Sequence, residues 1–231
     1  MSRCRECTLA AVLFACHGAP LALRGLLLYD GRHMSTAAKR RHDPSRKEAT
    51  HERIVEAAAR AIRRSGYSGT GVADIMKDAG LTHGGFYAHF ESREAMLAEA
   101  ADRAGAESVA TLERIASDAP PGKALQMLVR GYLSKEHLEG AERGCPMAAV
   151  GSEMPRQAPE VRRAATRRIK EAIDLVARQL PDWGKPNAHE QALATLSTMV
   201  GAMVLARAVD DPKLSDALRS AALKHSTPSS S

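Results

Sequence analysis

The chain has 231 residues, 33 Lys and Arg against 27 Asp and Glu, a formal net charge of +6, and only 3% aromatic residues. Such a core must be built from Ala, Leu, Val, Ile and Met, which favours helices over sheets, and the charge suits a polyanionic partner without requiring one. Cys4, Cys7 and Cys16 sit near the start and Cys145 alone in the body; this excludes an internal disulfide framework and points to a reducing cytoplasm, while no apolar run approaches the roughly 20 residues of a membrane helix.

Residues 1–33 differ from the rest. Leu9 to Cys16 is an apolar run behind Arg3 and Arg5, with Glu6 breaking the basic approach to it. Three readings stand: a signal peptide, a translated segment upstream of a start at Met34, or a loosely attached extension. Cys4-x-x-Cys7 lacks a second ligand pair, so no metal site is expected. Residues 34–47 form a polar basic arm with Lys39, Arg40 and Arg41, placed where it can follow DNA.

The first helix is expected to open on a capping box, Ser45 with Glu48. Ile54, Ala57, Ala58, Ala61 and Ile62 follow the spacing of one buried face, and Gly66 stops the helix. Thr70-Gly71 starts a second helix with Ile75 and Met76 inward, and Gly80 breaks it. Thr82 is expected to cap a third helix with Phe86 and Phe90 inward. Ser92 caps a fourth, running toward residue 116. Two short helices around a glycine turn, the second with polar and aromatic groups outward, are how a helix-turn-helix presents itself to a DNA groove.

Asp118-Ala119-Pro120-Pro121-Gly122 is a break. Helical periodicity resumes over 124–138, in a shorter piece around 145–154, and over 159–180, 188–209 and 214–224. Residues 226–231 read as a disordered tail. No strand alternation persists, so the fold class is all-α. We expect a three-helix DNA-binding domain over 48–108 and a helical effector-binding and dimerisation domain over 109–225.

The segment from about His51 to Ala101 resembles the N-terminal domain of tetracycline-repressor-like (TetR-family) regulators. The matching residues are Gly66-Tyr67, Thr70, Val72, Asp74-Ile75, Ala79-Gly80-Leu81-Thr82, Gly84, Phe86-Tyr87, His89-Phe90, Ser92-Arg93-Glu94-Ala95 and Leu97. The resemblance implies a homodimer on operator DNA, with His83, Gly84 and Gly85 toward the base edges. It places Tyr87 and His89 toward the phosphates, which the Thr70 hydroxyl and the Arg93 guanidinium can also meet, and Thr82 counts among the DNA-binding residues. Gly71 stands where the family often has Ser or Thr, and Ala88 is small where many members carry a larger side chain. Few base-reading groups remain, so DNA shape is expected to contribute to specificity.

By the same resemblance, the last two helices, 188–209 and 214–224, dimerise. The first offers Leu193, Leu196, Val200, Gly201, Ala202, Met203 and Val204; the second offers Leu214, Ala217, Leu218, Ala221 and Ala222. The middle helices would hold an effector pocket with Met127, Leu128, Tyr132, Cys145, Met147, Met154 and Leu175 as candidate lining. Cys145, at an apparent helix start after Arg143-Gly144, is also a candidate reactive thiol. With no phosphate loop, nucleophile elbow or metal-spaced cluster, the sequence reads as a non-enzymatic transcription regulator. A repressor released by a small molecule leads; an activator, or a thiol-responsive regulator, is the alternative.

Overall fold

The computed structural model describes residues 44–226, and these form helices and connecting turns with no strand among them. The arm residues Lys39, Arg40 and Arg41, the leader cysteines and residues 227–231 lie outside the described part. Ser226, expected in the tail, is instead the last residue of a helix.

Helix α1 spans Pro44–Ser65. Ser45 and Glu48 lie inside it, in its first turns. Ile54, Ala57, Ala58, Ala61 and Ile62 are buried, as their spacing requires. Gly66 ends the helix at φ +76°. Helix α2, Val72–Asp78, starts from Gly71 and buries Ile75 and Met76. It closes on Gly80 at φ +69°, a backbone conformation costly for any residue with a Cβ. There Gly80 N–H donates to Lys77 O at 2.9 Å and Leu81 N–H to Met76 O at 2.8 Å. This paired closure is a Schellman motif, and it fixes the angle at which the next segment leaves.

That segment, His83–Ala88, is a 3₁₀ helix and not the α-helix expected. Its tight geometry shows in Gly85 N–H to Thr82 O at 3.1 Å and His89 N–H to Phe86 O at 2.9 Å. Two adjacent glycines have the highest entropic cost of helix formation, so the buried Phe86 and Phe90 anchor the turn. Thr82 precedes it without a side-chain cap bond, a second correction.

Helix α3, Arg93–Ser117, is capped by Ser92 Oγ, which accepts from Ala95 N–H at 3.0 Å. It runs through residue 108 without a break, so the expected domain boundary falls inside one helix. The span 124–138 is two helices, α4 Ala124–Tyr132 and α5 Lys135–Glu139. Ser134 separates them by capping α5 through His137 N–H at 3.2 Å. A strap of short turns then crosses the molecule: Ala141–Arg143, helix α6 Pro146–Val150, and Gly151–Arg156. Helices α7 Pro159–Arg178, α8 Pro186–Ala208 and α9 Pro212–Ser226 complete the chain.

Two cores result. The first gathers α1, α2, Phe86, Phe90, the start of α3, Val150 and the start of α7. The second gathers the end of α3, α4, the end of α7, α8 and α9. Helices α3 and α7 thus run through both cores and pack along each other, tied by Arg168 to Asp102 at 2.5 Å. Burial would raise the Asp102 carboxyl, but the bonded Arg168 and Arg167 guanidiniums hold it below the usual aspartate value. Among the described residues, α8 is long and apolar enough to cross a membrane, with a window of mean hydropathy 1.2. This departs from the expectation drawn from uninterrupted apolar runs, because alanines and neutral polar residues fill its gaps. Within the fold α8 packs against α7 and α9.

Candidate nucleic-acid interface and effector cavity

The turn His83–Ala88 offers a short outward face. His83 and Gly84 are exposed, Gly85 is half-buried, and Tyr87 is 75% exposed. A Cβ built on Gly84 would meet nothing within 4 Å. The face is held from behind by Phe86, stacked on Phe90 at 5.6 Å and met edge-on by Tyr87 at 5.1 Å. Tyr87 therefore presents a hydroxyl on a ring whose foot is anchored. His89 is half-buried with its ring 6.1 Å from that of His51, so it is more enclosed than an outward phosphate ligand. His51 stacks on Phe90 and bonds Glu99 at 2.6 Å, tying α1, the turn and α3 together.

Two expected phosphate ligands have structural tasks within the fold. Thr70 is 3% exposed, and its hydroxyl donates to Gly66 O at 2.6 Å, satisfying a carbonyl near the end of α1. Arg93 donates to Tyr67 O at 2.5 Å and Thr70 O at 3.1 Å, stitching the start of α3 to the α1–α2 loop. Thr82 is exposed beside His83 and remains on the outward face.

Two cavities adjoin the strap. One, of about 460 Å³, is apolar and lies between α3, α7, α8 and the strap. Cys145, Met147, Met154, Ile169, Ile173, Leu193 and Leu196 are among its walls. The other, of about 710 Å³, is more polar and lies between α3, α4, α5 and the strap, with Tyr132, His137 and Cys145 among its walls. Of the expected lining, Cys145, Met147 and Met154 wall the apolar cavity, and Tyr132 and Cys145 the polar one. Met127 is 39% exposed on the surface, and Leu128 and Leu175 are buried in the second core away from both cavities. Helical spacing identified them as apolar without separating a core wall from a cavity wall.

The polar corner is tightly organised. His137 Nδ1 donates to Tyr132 O at 2.6 Å, and its Nε2 accepts Cys145 N–H at 3.0 Å. Burial, and then Arg207, hold the His137 pKa below the ordinary 6.5. Arg207 bonds His137 O at 2.5 Å and Leu138 O at 3.2 Å. Burial, then the Cys145 thiol, push the Tyr132 phenol well above the usual tyrosine value.

The sequence reading missed how the strap meets the DNA-binding half. Arg63 of α1, its side chain 1% exposed, donates to Glu142 O at 2.9 Å, Ala104 O at 2.8 Å and Glu107 at 2.7 Å. Eleven residues after Glu142, Glu153 accepts Tyr67 N–H at 2.9 Å. Both ends of the cavity-lining strap are thus clipped to the loop and helix that carry the recognition turn.

Residues 54–100 match the family model for bacterial regulatory proteins of the tetR family, and residues 121–222 match the C-terminal domain of LmrA/YxaF-like transcriptional regulators. An uncharacterized HTH-type transcriptional regulator of Mycobacterium tuberculosis, Rv0196, is 34% identical over 170 residues, covering 69% of this chain and 85% of the relative. The chain belongs to the TetR family. Bacillus subtilis LmrA is 25% identical over 159 residues, 67% of this chain and 82% of the relative. Among solved folds, reduced Escherichia coli NemR superposes with a TM-score of 0.66 at 20% identity, covering 78% of this chain and 95% of that one. A TetR regulator of Chloroflexus aurantiacus also gives 0.66, at 24% identity over 78% and 96%. The protein is therefore a DNA-binding transcriptional regulator with an N-terminal helix-turn-helix and a C-terminal helical domain. TetR-family regulators bind operators and usually dimerise.

Proposed function

We propose that this TetR-family protein is a homodimeric cytoplasmic repressor that leaves its operator when an effector enters the apolar cavity. In this reading His83, Gly84 and Gly85 meet base edges, and Thr82 and Tyr87 meet phosphates. Lys39, Arg40 and Arg41 follow the adjacent backbone. The observation that carries the effector half is the strap. Met147 and Met154 wall the cavity, while Glu142 and Glu153 hold Arg63 and Tyr67 of the DNA-binding half. Any ligand that moves the strap shifts the population of recognition-turn placements.

Dimerisation is supported by the apolar positions that α8 and α9 leave uncovered. Leu193, Val204, Leu205 and Leu214 are between 41% and 53% exposed. Ala202, Met203 and Ala222, expected at that surface, are buried within the monomer. An operator recovered by selection from random DNA tests the whole reading. Binding should require two half-sites and weaken steeply with salt. Placing the operator over a reporter promoter then distinguishes repression from activation. Binding to a single half-site as tightly as to two would contradict it.

A further inference from the structure

We infer that Cys145 is an oxidation site for organic hydroperoxides, and that the sulfenic acid formed there is a signal releasing the protein from DNA; the signalling half rests on the regulator reading above. Cys145 lines both cavities. On one side Met147, Met154, Ile169, Ile173 and Leu196 form an apolar compartment of about 460 Å³, suited to an alkyl or aryl group. Behind the thiol lie two buried donors without a strong acceptor. Tyr132 is 3% exposed and its hydroxyl has only the Cys145 sulfur to meet; Arg207 Nη1 is buried and has no hydrogen-bond partner. The thiol in turn lies close enough to act on the Tyr132 phenol and the Arg207 guanidinium. His137 fixes the thiol's backbone against the Tyr132 carbonyl.

A thiol sulfur is a weak acceptor, and unmet buried donors cost free energy. An oxygen carried on that sulfur is the acceptor this corner lacks. In the reaction, the Cys145 sulfur attacks the terminal oxygen of R–OOH. The S–O bond forms as the O–O bond breaks. The hydroxyl stays on sulfur, the thiol proton leaves with the alkoxide, and the products are the sulfenic acid and R–OH. Sulfur loses two electrons and the hydroperoxide gains them, so no further reactant is needed. An unsaturated carbonyl added to the same thiol would put its oxygen several bonds from sulfur, out of register with the two donors. The new oxygen enters the strap between Glu142, held by Arg63, and Glu153, held by Tyr67 N–H.

The test uses the full chain with Cys4→Ser, Cys7→Ser and Cys16→Ser, leaving Cys145 as its only cysteine. Cumene hydroperoxide and hydrogen peroxide are compared, with dimedone trapping read by intact mass and duplex affinity read on the selected operator. We expect one dimedone adduct at Cys145. The cumene hydroperoxide rate should exceed the hydrogen peroxide rate about tenfold or more, because only the former buries an apolar group. Tyr132→Phe should slow it about fivefold, the worth of one hydrogen bond. Oxidation should lower operator affinity, an effect lost when Cys145→Ser is added. No adduct, or equal peroxide rates untouched by Tyr132→Phe, overturns the proposal. So does modification by acrolein alone, or an adduct that leaves affinity unchanged. Reduced protein that binds no duplex sinks the regulator reading instead, and the adduct rates still decide the thiol site.

Discussion

His83, Gly84 and Tyr87 divide the labour of the recognition turn by what each can offer. Tyr87 has a rigid foot on Phe86 and a hydroxyl in solvent, which suits a phosphate oxygen and reads no sequence. Tyr87→Ala should therefore weaken binding to every duplex by a similar factor, of about 1 kcal/mol. His83 has ring nitrogens that distinguish acceptors from donors on base edges. His83→Ala should change preference at particular positions, seen by repeating the selection with the variant. Uniform weakening would show that His83 faces the backbone. At Gly84 the space for a methyl is open. Gly84→Ala should leave the melting temperature unchanged or raised, by less than about 1 kcal/mol, while altering operator affinity. These outward residues were legible in the sequence because the motif around them is specific. The inward tasks of Thr70 and Arg93 were not, since a hydroxyl or guanidinium at a loop suits a phosphate and a backbone carbonyl equally. Their partners, Gly66, Tyr67 and Thr70 carbonyls, become apparent only once the loop is folded.

Among the elements, the strap over 141–156 carries the coupling. Arg63 sits 79 residues from Glu142 in the chain, in a run of arginines that looks like an outer face. Nothing local marks it as buried, so this link was invisible to periodicity. Arg63→Met keeps the volume but removes the bonds to three acceptors. It should cost about 2 kcal/mol in urea unfolding and reduce the difference in operator affinity between free and effector-bound protein. A variant of unchanged stability would show the clip to be decorative. Near the same end of the strap lies a pH-sensitive pair of bonds. Neutral His137 both donates to Tyr132 O and accepts from Cys145 N–H, and its pKa lies below 6.5 because burial and Arg207 disfavour the charged ring. The unfolded chain thus takes up the proton first as pH falls. The contribution of this bond pair is complete above about 6.5 and declines as pH drops toward the lowered value. The melting temperature should fall between pH 7.5 and 5.5, and His137→Gln should flatten part of that fall. The 3₁₀ character of the recognition turn belongs to the same scale. The sequence announces a break at Gly80, yet Gly84-Gly85 withhold the propensity that would make the next turn α-helical.

For the whole molecule, two cores threaded by α3 and α7 make one mechanical unit. The boundary expected at residue 108 falls inside α3, which runs through it unbroken. Composition and apolar spacing sufficed for the all-α class and the helix order, since alanine-rich faces with clear Gly and Pro stops leave few alternatives. They did not sort core from cavity, because Leu128, Leu175 and Met147 have the same local pattern. Nor did they separate monomer core from dimer face in α8, where Met203 is buried and Val204 and Leu205 are exposed one and two residues later. Leu205→Asp with Leu214→Asp should give a monomer by sedimentation and abolish two-half-site binding, while helix content stays the same. A dimer that survives both charges would place the interface elsewhere.

The central claim is that the exposed face of His83–Ala88 reads DNA in a dimer. The most direct measurement selects bound duplexes from random DNA with the wild-type chain and with His83→Ala. The account requires a two-half-site operator from the wild type and a changed base preference at matched positions in both half-sites of the variant. Selection of the same sequence by both proteins, or of no common sequence by the wild type, would contradict it.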